Sequence, residues 1–224
     1  MNRYPDMKIA ALAVAIVILG SPAYADGFDV RPVTIETSDG MSSVVITNPG
    51  DRRIYLETII YDWSQDGSGN EALRESETAI ASPPAMWVSP RSTYNLRVKL
   101  PRGVTGRERA FRVMIRQLPD RTDIAAGRIV FALTQSLPAF VEPLESTPAA
   151  LSARFVDQHH IVIANTGGHR ARLVNLTQSG VVLVKGLVGY ALPQAALAIA
   201  LTAPVRPGTI EIETDAGRRT VSLR

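Results

Sequence analysis

Past residue 27 the chain is a succession of short runs rich in Val, Ile, Thr and Tyr, with Gly and Pro in the gaps. Helical spacing of apolar residues is almost absent. The pattern predicts strands over 28–36, 42–47, 54–62, 85–88, 92–99, 109–117 and 128–141. Beyond these it predicts strands over 151–156, 160–165, 171–177, 181–184, 196–201, 208–214 and 219–223. About seven strands in the first ~115 residues is the count of an immunoglobulin-like sandwich. Asn48-Pro49-Gly50-Asp51 reads as a turn, and Asp66-Gly67-Ser68-Gly69-Asn70 as a longer, mobile one. Ser82-Pro83-Pro84 stops a ladder and is a candidate for a cis bond. Pro143 and Pro148 lie in a short, stiff linker. After it, the last ~75 residues form a second small sandwich that leans on the first. The expected architecture is all-β, with one unit over 26–143 and another over 149–224.

The stretch 127–143, GRIVFALTQSLPAFVEP, departs from this pattern. Ile129, Phe131 and Leu133 alternate with Val130 and Ala132, and no charge falls between Ile129 and Val141. A strand with one solvated face alternates apolar with polar. A strand apolar on both faces needs a second cover, from its own chain or from another protein.

Residues 1–25 read as a cleaved signal peptide. Arg3 and Lys8 mark the charged start, Ile9 to Leu19 is an unbroken apolar run, and Ala23-Tyr24-Ala25 fits an A-x-A cleavage site. The run is about half the ~20 residues of a membrane helix, so stable membrane insertion is not expected, although an N-terminal anchor is the alternative. The exported chain contains no Cys. Units of ~100 residues bury enough surface to fold without disulfides. Formal net charge is +3, of which Arg3, Lys8 and Asp6 contribute +1, and no basic block occurs. That argues against a nucleic-acid binder.

Candidate chemistry is sparse. His159, His160 and His169 lack Cys partners, and Asp157 beside the first two reads as a turn pair rather than a metal site. No G-x-S-x-G or phosphate-binding Gly loop occurs, and Glu75 and Glu77 fall in a polar loop. An enzyme, a metal and a cofactor therefore find no support. Trp63 and Trp87 read first as packing residues and second as a stacking platform for a sugar.

Several segments nevertheless form an ordered set. Val44-Val45-Ile46-Thr47-Asn48-Pro49-Gly50-Asp51 is followed by Ile54-Tyr55, Tyr61-Asp62-Trp63-Ser64-Gln65-Asp66-Gly67 and Ser82-Pro83-Pro84. Then come Phe111-Arg112-Val113-Met114-Ile115-Arg116-Gln117-Leu118-Pro119 and Ser136-Leu137-Pro138-Ala139-Phe140-Val141. Asn165-Thr166-Gly167 and Gly189-Tyr190-Ala191-Leu192-Pro193 follow. In this order and spacing they resemble the periplasmic chaperones of the chaperone–usher pilus pathway, most of all the branch serving spore-coat-U-like pilins. The resemblance implies two immunoglobulin-like sandwiches in a boomerang arrangement. It implies periplasmic localisation, pilin subunits and an outer-membrane usher as partners, and no cofactor or ATP.

A pilin is a sandwich lacking its last strand, with its core open to water. By the resemblance, the chaperone fills that groove with the last strand of its first domain, a known instance of strand addition. Here that donor strand is 128–141, and Ile129, Phe131 and Leu133 would enter the groove. Each would contribute on the order of 1.5–3 kcal/mol of burial. Periodicity alone leaves the other option open, that the three face the protein's own core.

The family holds the pilin C-terminal carboxylate with an Arg in the first strand and a Lys in the donor strand. Thr34 and Pro138 occupy those positions here. Arg31, Arg97 and Arg112 are the candidate substitutes, with Arg116 also available. The family's interdomain ion network falls on Gln117, Glu142 and Asp215, a set without a cation, to which Arg116 or Arg154 could add one. Two other readings stay open: a structural or adhesive pilus subunit, and an exported carbohydrate-binding module using Trp63 or Trp87. A self-capping dimer is also left open.

Overall fold

The computed structural model describes residues 27–119 and 132–224. The segment 1–25 that reads as a signal peptide, and the predicted donor residues Ile129 and Phe131, lie outside them. The first unit contains β1 (Asp29–Arg31), β2 (Ile35–Thr37), β3 (Met41–Asn48), β4 (Ile54–Gln65) and β5 (Glu71–Glu75). It continues with β6 (Ile80–Ser82), β7 (Ala85–Val88), β8 (Ser92–Lys99), β9 (Arg109–Leu118) and β10 (Thr134–Val141). One sheet runs β1-β3-β8-β6 and the other β2-β10-β9-β4-β5, with β7 also paired to β4.

Alternation builds the core. Along β4, Ile54, Leu56, Thr58 and Ile60 point inward, while Tyr55, Glu57 and Ile59 do not. They meet Val44, Leu96, Phe111 and Ile115, all at most 1% exposed. Burying each large apolar side chain contributes about 1.5–3 kcal/mol.

The predicted strand 28–36 is two strands. β1 pairs with β3, whereas β2 pairs in parallel with β10 in the other sheet. The chain changes sheets at Pro32, which has no N–H to donate to a ladder. Arg31-Pro32 and Ser82-Pro83 are both cis. β5 and β6 have no counterpart among the predicted strands, and Glu75 belongs to β5 rather than to a loop. β5 is exposed throughout, so its residues carry no alternation to read.

The second unit contains β11 (Leu151–Asp157), β12 (His160–Asn165), β13 (Ala171–Gln178) and β14 (Val181–Ala191). β15 (Ala195–Ala200), β16 (Gly208–Thr214) and β17 (Gly217–Leu223) complete it. Its strands pair in the order β14-β13-β16-β17-β11-β12-β15. The sheet folds over until Thr202 N, just past β15, donates to Leu183 O on β14 at 2.9 Å. Ile161, Ile163, Leu173, Leu176 and Ile210 fill the interior at 0% exposure. β14 runs well past its predicted end at 184. At Lys185-Gly186 the strand bulges, with Gly186 at φ 84°, and Gly186 N donates to Asn175 Oδ1 at 2.7 Å. The bulge lets pairing resume instead of ending. The protein is thus all-β, two immunoglobulin-like sandwiches with separate cores.

The two units are joined along several contacts. Asp66-Gly67-Ser68-Gly69-Asn70, read as a mobile turn, is docked on the second unit. Ala196 N donates to Asp66 O at 3.2 Å and Ala198 N to Gly69 O at 3.4 Å, so the tip covers the outer edge of β15. A Cβ on Gly69 would overlap the Ala198 backbone, and Gly69 has φ 92°. Gln65 adds two bonds, donating to Tyr190 O at 2.8 Å and accepting from Leu192 N at 2.9 Å.

Candidate docking edge and interdomain cleft

β10 is paired along its whole length with β9 on one side. On the other side β2 covers only Ala139, Phe140 and Val141. Among the described residues, no strand lies beside 134–138 on that margin. Pro138 offers no N–H there, so donor groups are confined to the residues before it.

The two faces of β10 have different covers. Leu137, Ala139 and Val141 belong to the core of the first unit. Leu133 has the same parity and its carbonyl accepts from Gln117 N at 2.8 Å, yet its side chain is 40% exposed. The inward row therefore runs out of its own core toward the N-terminal end of the strand. On the opposite face Phe140 is 1% exposed, in a cluster with Trp63, Tyr190 and Leu192. Its ring lies 5.9 Å from Trp63 and 5.2 Å from Tyr190, centroid to centroid. The second face is thus covered at Phe140 by the same chain, and what lacks cover is the inward row at its Leu133 end.

The structure separates the three candidate cations. Arg31 sits across from Val45 and Arg97 across from Ser43, both exposed on the outer side of the β1-β3-β8-β6 sheet. Arg112 lies on the face turned to the second unit, directly across from Pro138. Its guanidinium is 3.8 Å from the Trp63 ring centroid. Burial pushes its pKa below the usual arginine value, opposed by Glu71 and Tyr190. No carboxylate among the described residues pairs with Arg112 within 4.0 Å. Trp63 Nε1 is buried without an acceptor among the described residues. Arg116, in contrast, pairs with Glu57.

The ion network between the units is not at Gln117, Glu142 and Asp215. Gln117 is buried in the first unit, Glu142 is exposed, and Asp215 accepts from Arg172 N at 3.4 Å. Arg170, just ahead of β13, instead pairs with Glu36 of β2 and with Glu108 just ahead of β9. Its guanidinium also lies 3.8 Å from the centre of the Phe140 ring. Arg170 N donates to Glu108 Oε2 at 2.9 Å. Burial holds the Glu108 carboxyl above the ordinary glutamate pKa, and the Arg170 charge opposes that rise. One sequence signal could have pointed here. Gly167-Gly168 precede His169 and Arg170, and Cβ atoms on these glycines would overlap the backbone at Pro148 and Gly106. A glycine pair of this kind marks close backbone approach. A cleft of about 520 Å³ opens beside this network, lined by Thr34, Arg170, Arg172, Tyr190 and Asp215.

The remaining sequence candidates also have places. Trp63 is 4% exposed, a packing residue between the units. Trp87 is not a core residue: it is 45% exposed, against Tyr55 at 4.9 Å and Arg53 at 4.2 Å. It stands across from Tyr55 on the outward row of β4, which explains its exposure. Asp157 forms the β11–β12 turn, accepting from His159 N at 2.7 Å and contacting His160 Nδ1 at 2.9 Å.

Two immunoglobulin-like sandwiches, the last strand of the first with no strand beside 134–138 on one margin among the described residues, define the fold class. Residues 29–146, more than half of the 224-residue chain, match the pili and flagellar-assembly chaperone family through its PapD N-terminal domain, and the chain belongs to that family. No curated protein matches the chain. Among solved structures, the fold is similar to the CsuC–CsuE chaperone–tip adhesion subunit pre-assembly complex from archaic chaperone–usher Csu pili of Acinetobacter baumannii. The TM-score is 0.69 at 19% identity, covering 88% of this chain and 99% of that one. It is also similar to the Salmonella enterica SafA pilin–SafB chaperone complex, with TM-score 0.65, 15% identity and coverage of 88% and 96%. The periplasmic chaperone SfaE gives a TM-score of 0.61 at 15% identity, with coverage of 88% and 100%.

Proposed function

We propose that the protein is a periplasmic chaperone that caps pilin subunits by donating the open margin of β10, then delivers them to an outer-membrane usher. The observation that carries this reading is the mismatch along β10. Its inward row leaves its own core at Leu133, 40% exposed, where one backbone margin has no strand beside it among the described residues. A pilin groove supplies both missing covers. Its strand pairs with 134–138, and its core receives Leu133 together with Ile129 and Phe131 from the preceding segment. Capture draws on burial and backbone pairing, so it needs no cofactor. The units over 26–143 and 149–224 each keep a core of their own, with the donor strand closing the first.

Within this reading Arg112 takes the part of the missing donor-strand lysine. It stands one strand over from Pro138, partly desolvated, with no carboxylate of its own among the described residues, beside the Trp63 indole N–H, which has no acceptor among them. A half-buried cation and an unsatisfied donor together suit a carboxylate. Arg31 and Arg97 lie on the other sheet and serve less well. The neighbouring structures that hold a chaperone with a pilin or a tip subunit support the choice of partner.

The test is co-expression with a pilin encoded beside the gene. Phe131→Asp with Leu133→Asp should reduce co-purified pilin to background, and Arg112→Gln should reduce it by about tenfold, the effect of one partly buried charged contact. Undiminished pilin in the double variant would overturn the donor assignment.

A further inference from the structure

The open margin of β10 ends where β2 begins, so whatever fixes β2 fixes how much edge a partner meets. β2 holds β10 through three residue pairs: Ile35 with Ala139, Glu36 with Phe140, and Thr37 with Val141. A pairing this short is weak by itself. Continuing its register would place Thr34 opposite Pro138 and Val33 opposite Leu137. Val33 is 71% exposed, an apolar side chain free to follow. Sliding by two residues keeps every side chain on its own face, so alternation alone does not hold the register.

One side chain grips both members of the central pair. Arg170 pairs with Glu36 on β2 and lies 3.8 Å from the ring centre of Phe140 on β10. Its other end is fixed by Glu108, whose side chain is 1% exposed. We propose that Arg170 of the second unit is a positioning residue for the docking edge. It clamps β2 to three residues of β10 and so sets the length of margin left for a partner. Pro32 and Pro138 lie just beyond the clamp, and neither can donate a ladder bond. Together they form a stop that keeps the chain from covering its own edge. A planar, forked cation is the group that can pair with two carboxylates while stacking on a ring, and lysine cannot do all three.

This inference rests on the donor reading of β10, and its test separates the two. Hydrogen exchange is followed in the free protein, and pilin capture beside it, for Glu36→Gln, Arg170→Lys and Arg170→Ala. Glu36 is exposed, so Glu36→Gln leaves the buried Arg170–Glu108 pair and the fold intact. Exchange at 35–37 and 139–141 should rise about threefold in Glu36→Gln and about tenfold or more in Arg170→Ala, with Arg170→Lys between. In Glu36→Gln, β3 and β8 should keep their protection; in Arg170→Ala the unpaired Glu108 lowers protection throughout the first unit as well, and pilin capture should fall in the same order. A uniform rise across the first unit in Glu36→Gln would assign the Arg170–Glu36 contact a merely structural role and overturn the proposal. So would unchanged exchange at 35–37 in all three variants. If Leu133→Asp spares capture, the donor reading has failed. If Leu133→Asp abolishes capture while the Arg170 and Glu36 variants retain it, only the clamp has failed.

Discussion

Two strand margins in this molecule meet opposite fates. The outer margin of β15 in the second unit is covered by the chain itself, with Asp66 O and Gly69 O accepting from Ala196 N and Ala198 N. The margin of β10 at 134–138 has no such cover among the described residues. Exposed edges recruit foreign strands, and proteins ordinarily blunt them. The first unit reaches across to blunt its neighbour's edge, while among the described residues its own stays bare at 134–138. The difference teaches that the chain has the means to cover a margin, and a margin without such cover is what the proposed strand-lending role requires.

The contact that joins the two margins carries the largest expected effect. Trp63 lies on β4, two residues before Gln65, and packs on Phe140 from the open-edge strand and Tyr190 from β14. Trp63→Ala should cost about 3–5 kcal/mol in urea unfolding, as for other buried aromatic truncations. A loss below about 1 kcal/mol would mean that the two margins are not mechanically joined through this cluster.

How much of this was legible beforehand varied with local chemistry. β7, β8, β12 and β16 keep their predicted bounds: β7, β8 and β16 have one inward row to read, and β12, with Ile161, Val162 and Ile163 all buried, reads as a short continuous apolar run. β5, with every residue exposed, has no such row. The double apolarity of β10 was visible, but its dual cover was not, because Phe140 packs against residues some fifty positions away, Tyr190 and Leu192. Arg112 stood out through its apolar neighbours Phe111 and Val113. Arg170 did not, since its partners Glu36 and Glu108 lie far off in the chain and nothing local marks either as buried or shared. Trp87 shows the converse failure: apolar character alone does not say which face of a strand is dry.

A pH experiment sharpens the comparison on the open-edge side. Arg170→Ala leaves Glu108 buried without its cation, a change expected to cost about 3 kcal/mol at pH 8. Glu108 already has a raised folded pKa, so its contribution is greatest below the unfolded value and is lost as pH rises through the folded one. Removing Arg170 raises the folded pKa further. The stability gap between wild type and Arg170→Ala should therefore be wider near pH 8 and narrower near pH 5, from paired urea titrations. A gap independent of pH would show that Glu108 is not carrying a buried charge.

The smaller effect belongs to the covered edge. Gly69 has φ 92° and no room for a Cβ against the Ala198 backbone. Gly69→Ala should lift the hairpin tip from β15 at a cost of about 1–3 kcal/mol, the range for a strained left-handed position. The informative readout is not stability but behaviour. With β15 uncovered, the variant should self-associate as concentration rises, and proteolysis should begin at 66–70. Leu133→Asp, placed on the open margin, should shift stability by no more than about 0.5 kcal/mol, as for an exposed substitution. If Gly69→Ala stays monomeric and resists proteolysis as wild type does, the hairpin tip is not what keeps β15 from acting as an edge, and the contrast between the two margins must be explained by their side chains instead.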